Sequence, residues 1–211
     1  FTLVTVQDTA YLALLAYLFA RRARVPFEVQ VHGFEKLRNI RALLARFVLC
    51  RADRVRVVSE RLKHFLIVNY SLPTTRIYVL AVYSQVVGGE CGKKDANTFT
   101  FLTVSRLVPV KNIALQIRAF ARVVQKYPHA RLRIVGSGAL EEVLKSQVRS
   151  LKLEGRVVFE GQQENPARFY QEADAFLLTS DCEGWGVAVV EAAAFGLPII
   201  MTDVGCAGDF I

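Results

Sequence analysis

Short apolar runs alternate with longer amphipathic stretches along the whole chain, and this alternation constrains the fold more than any other feature. Strands of a parallel sheet that is covered on both faces read as continuous apolar runs, and the helices that connect them are amphipathic. The sequence therefore predicts an α/β fold of doubly wound, Rossmann-like parallel sheets. The predicted strands lie near 3–6, 27–32, 54–58, 76–80, 99–104, 130–135, 156–160, 174–179 and 198–201, and the predicted helices near 9–24, 36–51, 60–69, 112–127, 138–151, 165–172 and 187–195.

A polar, glycine-rich stretch divides these elements into two sets. It predicts a linker over 85–97, between a partial N-terminal domain at 1–84 and a partial C-terminal domain at 98–211. The 211 residues are 53% hydrophobic, which is enough apolar material for two cores. The chain starts on Phe1 directly before a predicted strand and stops after a glycine-rich loop where another helix would be expected. We therefore expect both domains to be incomplete, with segments missing at both ends.

Two glutamates, Glu183 and Glu191, bracket the turn between a predicted strand and a predicted helix. Gly184 and Gly186 permit a tight turn there, and the helix would begin near Val187. The free N–H groups and positive dipole end of such a helix form an anion site. Glu191 stands on a helix of Ala and Val, so we expect it to face a polar ligand. The alternative is a solvated glutamate that suits the helix dipole.

Two cations occupy the loop that follows the predicted strand 99–104. A guanidinium at Arg106 and an ammonium at Lys111 together suit a diphosphate, which accepts both bidentate and point-charge donors. The alternative is a pair of surface cations on an exposed connection. The next strand ends in Gly136-Ser137-Gly138, and this Gly-x-Gly is weak by itself, since many strand-to-helix turns use glycine for geometry alone.

Together these strand ends resemble the retaining glycosyltransferases of family 4, also called group 1, which have the GT-B architecture of two Rossmann-like domains that face a cleft. The resemblance covers the chain from Thr98 to its end. The matching stretches are Ser105-Arg106 through Lys111-Asn112, Val135-Gly136-Ser137-Gly138, Ala173-Asp174-Ala175-Phe176-Leu177-Leu178-Thr179-Ser180, Glu183-Gly184-Trp185-Gly186 through Glu191, and Gly196-Leu197-Pro198-Ile199-Ile200. The first half is less similar, and its clearest match is Val29-Gln30-Val31-His32-Gly33. Where the family often has Pro-Asn-Gly-Val, this chain has Ala81-Val82-Tyr83-Ser84, which puts the hinge contacts in doubt.

The resemblance implies an enzyme that moves a sugar, with retention, from a nucleotide diphosphate sugar to a glycan or lipid-linked acceptor, in cell-envelope polysaccharide synthesis. The C-terminal domain would hold the donor, and the N-terminal domain would help to bind the acceptor. The implied donor-binding residues are Arg106, Lys111, Gly136, Glu183, Trp185, Gly186, Val187 and Glu191, and the implied catalytic residues are His32 and Glu183.

Each of these residues has an implied role. Arg106 and Lys111 would neutralise the diphosphate as the leaving group gains charge. Glu183 would contact the donor sugar, and Glu191 would accept hydrogen bonds from the ribose hydroxyls. His32 would contribute electrostatics from the other side of the cleft, although a histidine there is also compatible with a purely structural role. Trp185 either lines the sugar pocket or packs the turn.

We expect no cofactor and no metal ion, because the chain has no Asp-x-Asp at a strand end and two fixed cations already suit the diphosphate. Two other functions remain open: a sugar-nucleotide epimerase of the same architecture, and a non-catalytic module that binds sugar nucleotides or membranes. A dehydrogenase is disfavoured because no first strand leads into Gly-x-Gly-x-x-Gly followed by an acid.

Positive charge is concentrated in the first half of the chain. The whole chain has a formal net charge of +8, and residues 1–84 hold 13 Lys and Arg against 5 Asp and Glu. The predicted helix 36–51 places Leu37, Ile40, Leu44, Phe47 and Val48 on one stripe and basic residues on the other face. Such a helix suits anionic lipid headgroups, and the alternative is an ordinary sheet-covering helix with a solvated basic face. The sequence has no basic strand interleaved with aromatic residues, so it gives no indication of nucleic-acid binding.

The four cysteines show no metal-ligand spacing. They are typical of reduced thiols rather than of a disulfide framework. The longest apolar helical stretch, Tyr11 to Ala20, is about half of the ~20 residues that a membrane span requires. We therefore expect a cytoplasmic protein with a peripheral contact to the inner face of the membrane.

Overall fold

All nine predicted strands and all seven predicted helices form in the computed structural model, which describes residues 2–34, 37–82, 84 and 97–210. The first set comprises β1 (Val4–Val6), α1 (Tyr11–Ala23), β2 (Phe27–Val31), α2 (Ile40–Arg51), β3 (Arg54–Val57), α3 (Glu60–Tyr70) and β4 (Ile77–Val79). The second comprises β5 (Thr100–Val104), α4 (Ile113–Lys126), β6 (Arg131–Val135), α5 (Glu141–Ser150), β7 (Val157–Gly161), α6 (Ala167–Glu172), β8 (Ala175–Leu178), α7 (Val187–Ala194) and β9 (Ile199–Met201). The predicted linker lies outside the described residues except for Asn97, and so does Cys91. The other three cysteines carry reduced thiols.

Contacts divide the chain into two compact units. Unit 1 comprises Phe1–Val82, Glu183–Trp185 and Gly205–Ile211, and unit 2 comprises Tyr83–Cys182 and Gly186–Val204. Two short segments that belong in sequence to the second half are therefore packed with the first four strands. The fold class is the predicted one: each unit is a Rossmann-like parallel sheet with helical connections, as in GT-B proteins.

The sheet of unit 1 is parallel throughout, and its order β1-β2-β3-β4 follows the sequence. Along β2, Phe27, Val29 and Val31 are buried in the apolar core of the unit. Because strand side chains alternate, the residues between them lie on the opposite face, where Gln30 donates hydrogen bonds to Glu28 and to Thr5 of β1. At β2 the sheet of this unit therefore has one apolar face and one polar face.

Helix α2 is shorter than predicted, and its buried face is different. The helix begins at Ile40 instead of 36, because Asn39 has a positive φ of 55° that no α-helix contains. Its buried side chains are Ala45, Val48 and Leu49. Ile40, which we assigned to the buried stripe, is 60% exposed. The predicted stripe is confirmed at Val48, which is buried, and is wrong at Ile40, because apolar residues occur all round this helix and their spacing does not identify the buried face.

Helix α1 exposes an apolar face. Ala13 and Ala20 are buried against the unit, while five large apolar side chains on the other side are each more than half exposed, namely Tyr11, Leu12, Leu15, Leu18 and Phe19. The positions recur with helical spacing, so they form one continuous stripe. An apolar surface of this extent is characteristic of an interaction site.

The sheet of unit 2 has the order β7-β6-β5-β8-β9, with every pair parallel. From β5 the chain first adds β6 and β7 on one side and then returns to add β8 and β9 on the other. The strand order therefore reverses between β5 and β8. In open parallel sheets such a reversal opens a crevice beyond the carboxyl ends of the two strands, and ligands bind there.

We predict that the N-cap of α3 contributes measurably to the stability of unit 1. The buried Ser59 hydroxyl oxygen accepts a hydrogen bond from the Leu62 amide at 3.2 Å. Ser59→Ala should lower the free energy of local opening at α3 by about 1 kcal/mol, because it leaves a helix N–H unpaired. Hydrogen exchange of the α3 amides would measure it. Ser150→Ala, at the exposed end of α5, is the control and should change exchange little. Equal exchange at α3 in wild type and Ser59→Ala would contradict the prediction.

Candidate functional site

The loop after β5 carries Arg106 and Lys111 and is held by backbone hydrogen bonds to the loop after β6. The Ser105 amide donates to the Val135 carbonyl at 2.9 Å, and the Leu107 amide donates to the Ser137 carbonyl at 2.8 Å. Arg106 lies between these two bonds with its side chain exposed. Lys111 ends a short 3₁₀ turn, Pro109–Lys111, directly before α4. Arg106 and Lys111, the two cations predicted to bind a diphosphate, thus lie on a loop whose backbone is held by hydrogen bonds.

Gly136 occurs where these two loops touch. Its φ is 131°, and a Cβ at this position would lie 1.9 Å from the Ser105 carbonyl oxygen, so only glycine fits. Its amide donates to the Gly161 carbonyl at 2.8 Å. The geometric requirement accounts for the glycine, while a contact between Gly136 and a donor stays a prediction.

The end of β8 is tied to the same loop from the other side. The Asp181 amide donates to the Val110 carbonyl at 2.8 Å, and the Asn112 side-chain amide donates to an Asp181 carboxylate oxygen at 3.2 Å. Buried Gln116 of α4 donates to the Thr179 hydroxyl oxygen at 3.0 Å. The sequence assigned no role to Asn112, Asp181 or Gln116, since short-range patterns carry no signal for pairs this far apart in the chain.

Helix α7 begins at Val187, as predicted, after Gly186 with a φ of 90°. Glu191 projects from this helix, and both of its carboxylate oxygens accept hydrogen bonds. The Ser84 hydroxyl donates to Oε1 at 2.5 Å, and the Tyr170 hydroxyl donates to Oε2 at 2.7 Å. Both observed partners of Glu191 are protein groups, which the sequence did not identify. The expectation that Glu191 faces a polar ligand stays a prediction.

The segment Glu183–Trp185 packs within unit 1, next to His32. A Cβ on Gly184 would lie 1.8 Å from the His32 carbonyl oxygen, so the close approach of the two backbones requires glycine. The Trp185 ring packs against the apolar core of unit 1, and its carbonyl accepts a hydrogen bond from the Cys206 amide at 2.8 Å. Trp185 therefore packs the turn, and a contact between its ring and a donor sugar stays a prediction.

His32 follows β2 directly, at the carboxyl end of the strand as predicted. Although the residue as a whole is exposed, partial burial of its imidazole lowers the pKa, and the nearby positive charge of Arg56 lowers it further. The neutral imidazole is thus favoured. A neutral imidazole has one N–H donor and one acceptor nitrogen, so it can both donate and accept a hydrogen bond.

The structure brings the predicted residues together in two groups. In unit 2, the loops of Arg106, Lys111 and Gly136 adjoin one another, and Glu191 has its own polar cluster. In unit 1, Glu183–Trp185 adjoins His32. Among the described residues, no group of three or more His, Cys, Asp and Glu side chains is placed to hold a metal ion. Within that same part of the chain, no helix is long and apolar enough to cross a membrane.

Comparison with known proteins identifies what this chain is similar to. The profile of the family described as glycosyl transferases, group 1, matches residues 91–211. N-acetyl-alpha-D-glucosaminyl L-malate synthase of Bacillus anthracis is 31% identical over 172 residues, which cover 77% of this chain and 44% of that enzyme. The N-acetylgalactosaminyltransferase of Campylobacter jejuni that acts on N-acetylgalactosamine-N,N'-diacetylbacillosaminyl-diphospho-undecaprenol is 27% identical over 202 residues, covering 92% of this chain and 54% of the enzyme.

A solved structure shows the same fold. HepE of Anabaena, crystallised in complex with UDP, superimposes with a TM-score of 0.83 at 21% identity, over all of this chain and 62% of HepE. This chain thus spans about half of each of the two curated relatives and somewhat more of HepE.

We predict that His32 titrates below its ordinary pKa of 6.5. Between the lowered pKa and 6.5, the unfolded chain binds a proton that the folded chain does not. The stability that the neutral imidazole contributes is therefore fully present above pH 6.5 and is lost as the pH falls through this window. Arg56→Gln should raise the pKa of His32 only part of the way, because burial is the larger cause. NMR titration of the His32 ring protons would measure both values, and a wild-type pKa at or above 6.5 would contradict the prediction.

Proposed function

The chain belongs to the group 1 glycosyltransferases, and we propose that it transfers a sugar, with retention of the anomeric configuration, from a nucleotide diphosphate sugar to a glycan or lipid-linked acceptor. The observation that carries the proposal is the reversal of strand order between β5 and β8. It brings the loop of Arg106 and Lys111 beside the end of β8, at the edge of the sheet where ligands of parallel sheets bind. Asp181 and Asn112 join the two strand ends directly.

Arg106 and Lys111 bind the diphosphate of the donor. The bond that breaks joins the sugar to a phosphate oxygen, so negative charge accumulates on the diphosphate as the transition state is approached. Two cations on a fixed loop stabilise that charge more than the charge of the intact donor, which is what lowers the barrier. The pair also makes a divalent ion unnecessary, and we propose that the reaction needs neither a metal nor a cofactor.

Glu191, Glu183 and His32 complete the proposed machinery. Glu191 accepts hydrogen bonds from the ribose, the amides at the start of α7 face the donor phosphate or sugar, and Glu183 contacts the donor sugar. His32 contributes electrostatics to the reaction in the neutral form that its lowered pKa favours. Retaining enzymes of this architecture are usually described by same-face substitution, so Glu183 is not assigned as a covalent nucleophile.

We also propose that this protein is cytoplasmic and that its N-terminal unit makes a peripheral contact with an anionic membrane. The contact surface comprises the basic face of residues 36–51 together with the exposed face of α1. The exposed apolar stripe of α1 lies on a helix pair that contains five arginines and no acidic residue. A concave pocket of about 840 Å³ at the carboxyl ends of these helices is lined by four arginines and one carboxylate, namely Arg21, Arg24, Arg51, Arg54 and Asp53, together with apolar residues. Apolar contact combined with unbalanced positive charge suits an anionic lipid surface.

We predict that the chain binds UDP through the two cations. Arg106→Ala and Lys111→Ala should each weaken UDP binding by about 10- to 100-fold, the usual effect of one charge-assisted hydrogen bond, and should change uridine binding little. Calorimetry with both ligands would measure this, with Arg149→Ala on the exposed end of α5 as the control. The same titrations in the presence of a chelator should give unchanged affinities.

Two results would contradict this assignment. Equal losses for UDP and uridine would show that neither cation contacts the diphosphate. UDP binding that disappears with the chelator and returns with magnesium would show that a metal ion, and not the cation pair alone, holds the diphosphate.

We predict that vesicles containing anionic lipid bind the chain and that salt weakens this binding. Each arginine near the surface contributes about 1 kcal/mol, so the double variant Arg41→Gln/Arg46→Gln should lose affinity for anionic vesicles by roughly tenfold or more. Leu15→Asp should reduce binding through the apolar stripe, and Val143→Asp, which is equally exposed in unit 2, should not. Vesicle sedimentation would decide. Binding that is insensitive to lipid charge and salt, or no binding at all, would contradict the proposal.

A further inference from the structure

We propose that Tyr170 is a positioning residue for the donor: its hydroxyl fixes one oxygen of the Glu191 carboxylate while Ser84 fixes the other, so that the carboxylate is held ready for a ribose diol. This inference rests on the proposed role of Glu191 and goes beyond it, because it assigns a function to a buried tyrosine that does not itself contact the nucleotide.

The position of the Tyr170 hydroxyl is set by packing. The side chain is fully buried in unit 2. Its ring stacks on Phe195 at a centroid distance of 5.5 Å and an interplanar angle of 12°, and it contacts Phe176 at 5.9 Å. Because Phe195 directly follows α7 and Tyr170 belongs to α6, the two aromatic rings lock the helices together. The hydroxyl therefore cannot move away from Glu191 without repacking the core.

The direction of the hydrogen bond is fixed as well. The hydroxyl has one proton and two acceptors within reach, Glu191 Oε2 at 2.7 Å and the Ala188 carbonyl at 3.4 Å. The shorter, charge-assisted bond takes the proton. Burial raises the pKa of Tyr170 far above its usual value, and the charge of Glu191 raises it further, so the tyrosine stays a donor.

The remaining acceptor capacity of Glu191 matches a diol. A carboxylate has about four lone-pair sites on its two oxygens, and the protein occupies one on each. One site on each oxygen then remains, and a ribose offers two neighbouring hydroxyl donors. With the carboxylate already held, binding of the diol need not pay for freezing a flexible glutamate side chain.

Tyr170→Phe is the decisive variant, because it keeps the stacked ring and removes only the hydroxyl. We expect it to weaken UDP binding about tenfold and to leave the binding of 2′,3′-dideoxy-UDP, which has no ribose hydroxyl, unchanged. Tyr127→Phe removes an equally polar but exposed hydroxyl in the same unit and should change neither affinity. A merely structural role would lower both affinities together or neither. Calorimetry on the full chain, with thermal unfolding as a check on the fold, gives these values.

Comparison with Glu191→Ala separates this inference from the proposed function. If Glu191→Ala retains the preference for UDP over the dideoxy nucleotide, the ribose role of Glu191 is wrong, and the inference about Tyr170 is overturned with it. If Glu191→Ala abolishes the preference and Tyr170→Phe retains it, only the inference about Tyr170 is overturned. The double variant should bind UDP no more weakly than Glu191→Ala alone, since the two residues act as one unit. If Tyr170→Phe fails to fold, Ser84→Ala provides the test, because it removes the other hydrogen bond to Glu191. We expect Ser84→Ala to weaken UDP binding selectively. If it does not, the proposal that Tyr170 and Ser84 together position the Glu191 carboxylate is overturned.

Discussion

The parallel pairing of β5 with β6 on one side and β8 on the other is the constraint on which unit 2 depends. It places three strand ends next to one another and forces their loops to share the same space. The loops after β5 and β6 meet backbone to backbone, so no side chain fits at Gly136. The loop after β8 closes the other side through Asp181. Arg106 and Lys111 therefore lie on a loop whose backbone is hydrogen-bonded to the loops on either side, and a preorganised backbone is what the proposed electrostatic role requires.

Buried polar groups extend the same principle into the core of unit 2. Gln116 is 2% exposed and bridges the Thr103 and Thr179 hydroxyls, which belong to β5 and to the segment after β8. Tyr170 of α6 likewise donates a hydrogen bond to Glu191 of α7. A buried polar side chain is costly unless it is paired, so each such pair favours one arrangement of its two elements over all others. The hydrogen bonds that position the strand-end loops and Glu191 are therefore also part of the buried core of unit 2.

Unit 1 shows how distant segments of the chain can support a strand-end loop. The Asp209 carboxylate accepts a hydrogen bond from the Glu60 amide at 2.9 Å, at the positive end of α3, and the Arg61 side chain donates to the Ala207 carbonyl at 3.3 Å. Together with Gly184 against His32, these contacts anchor Glu183–Trp185 and the end of the chain to the first four strands. The Glu183 segment and His32 thus share one packed body, although about 150 residues of sequence separate them.

The sequence by itself determined the elements of this protein. Among the described residues, apolar runs and amphipathic stretches identified the strands and the α-helices, because burial of a regular element imposes its own period on the chain. The strand-end motifs at Arg106, Gly136, Glu183 and Glu191 identified the family. Only the tertiary structure decided the strand order, the partners of Glu191 and Gln116, the buried face of α2, and the packing of Glu183–Trp185 with unit 1. These features depend on contacts between residues far apart in the chain, and such contacts leave no periodic pattern in a single sequence.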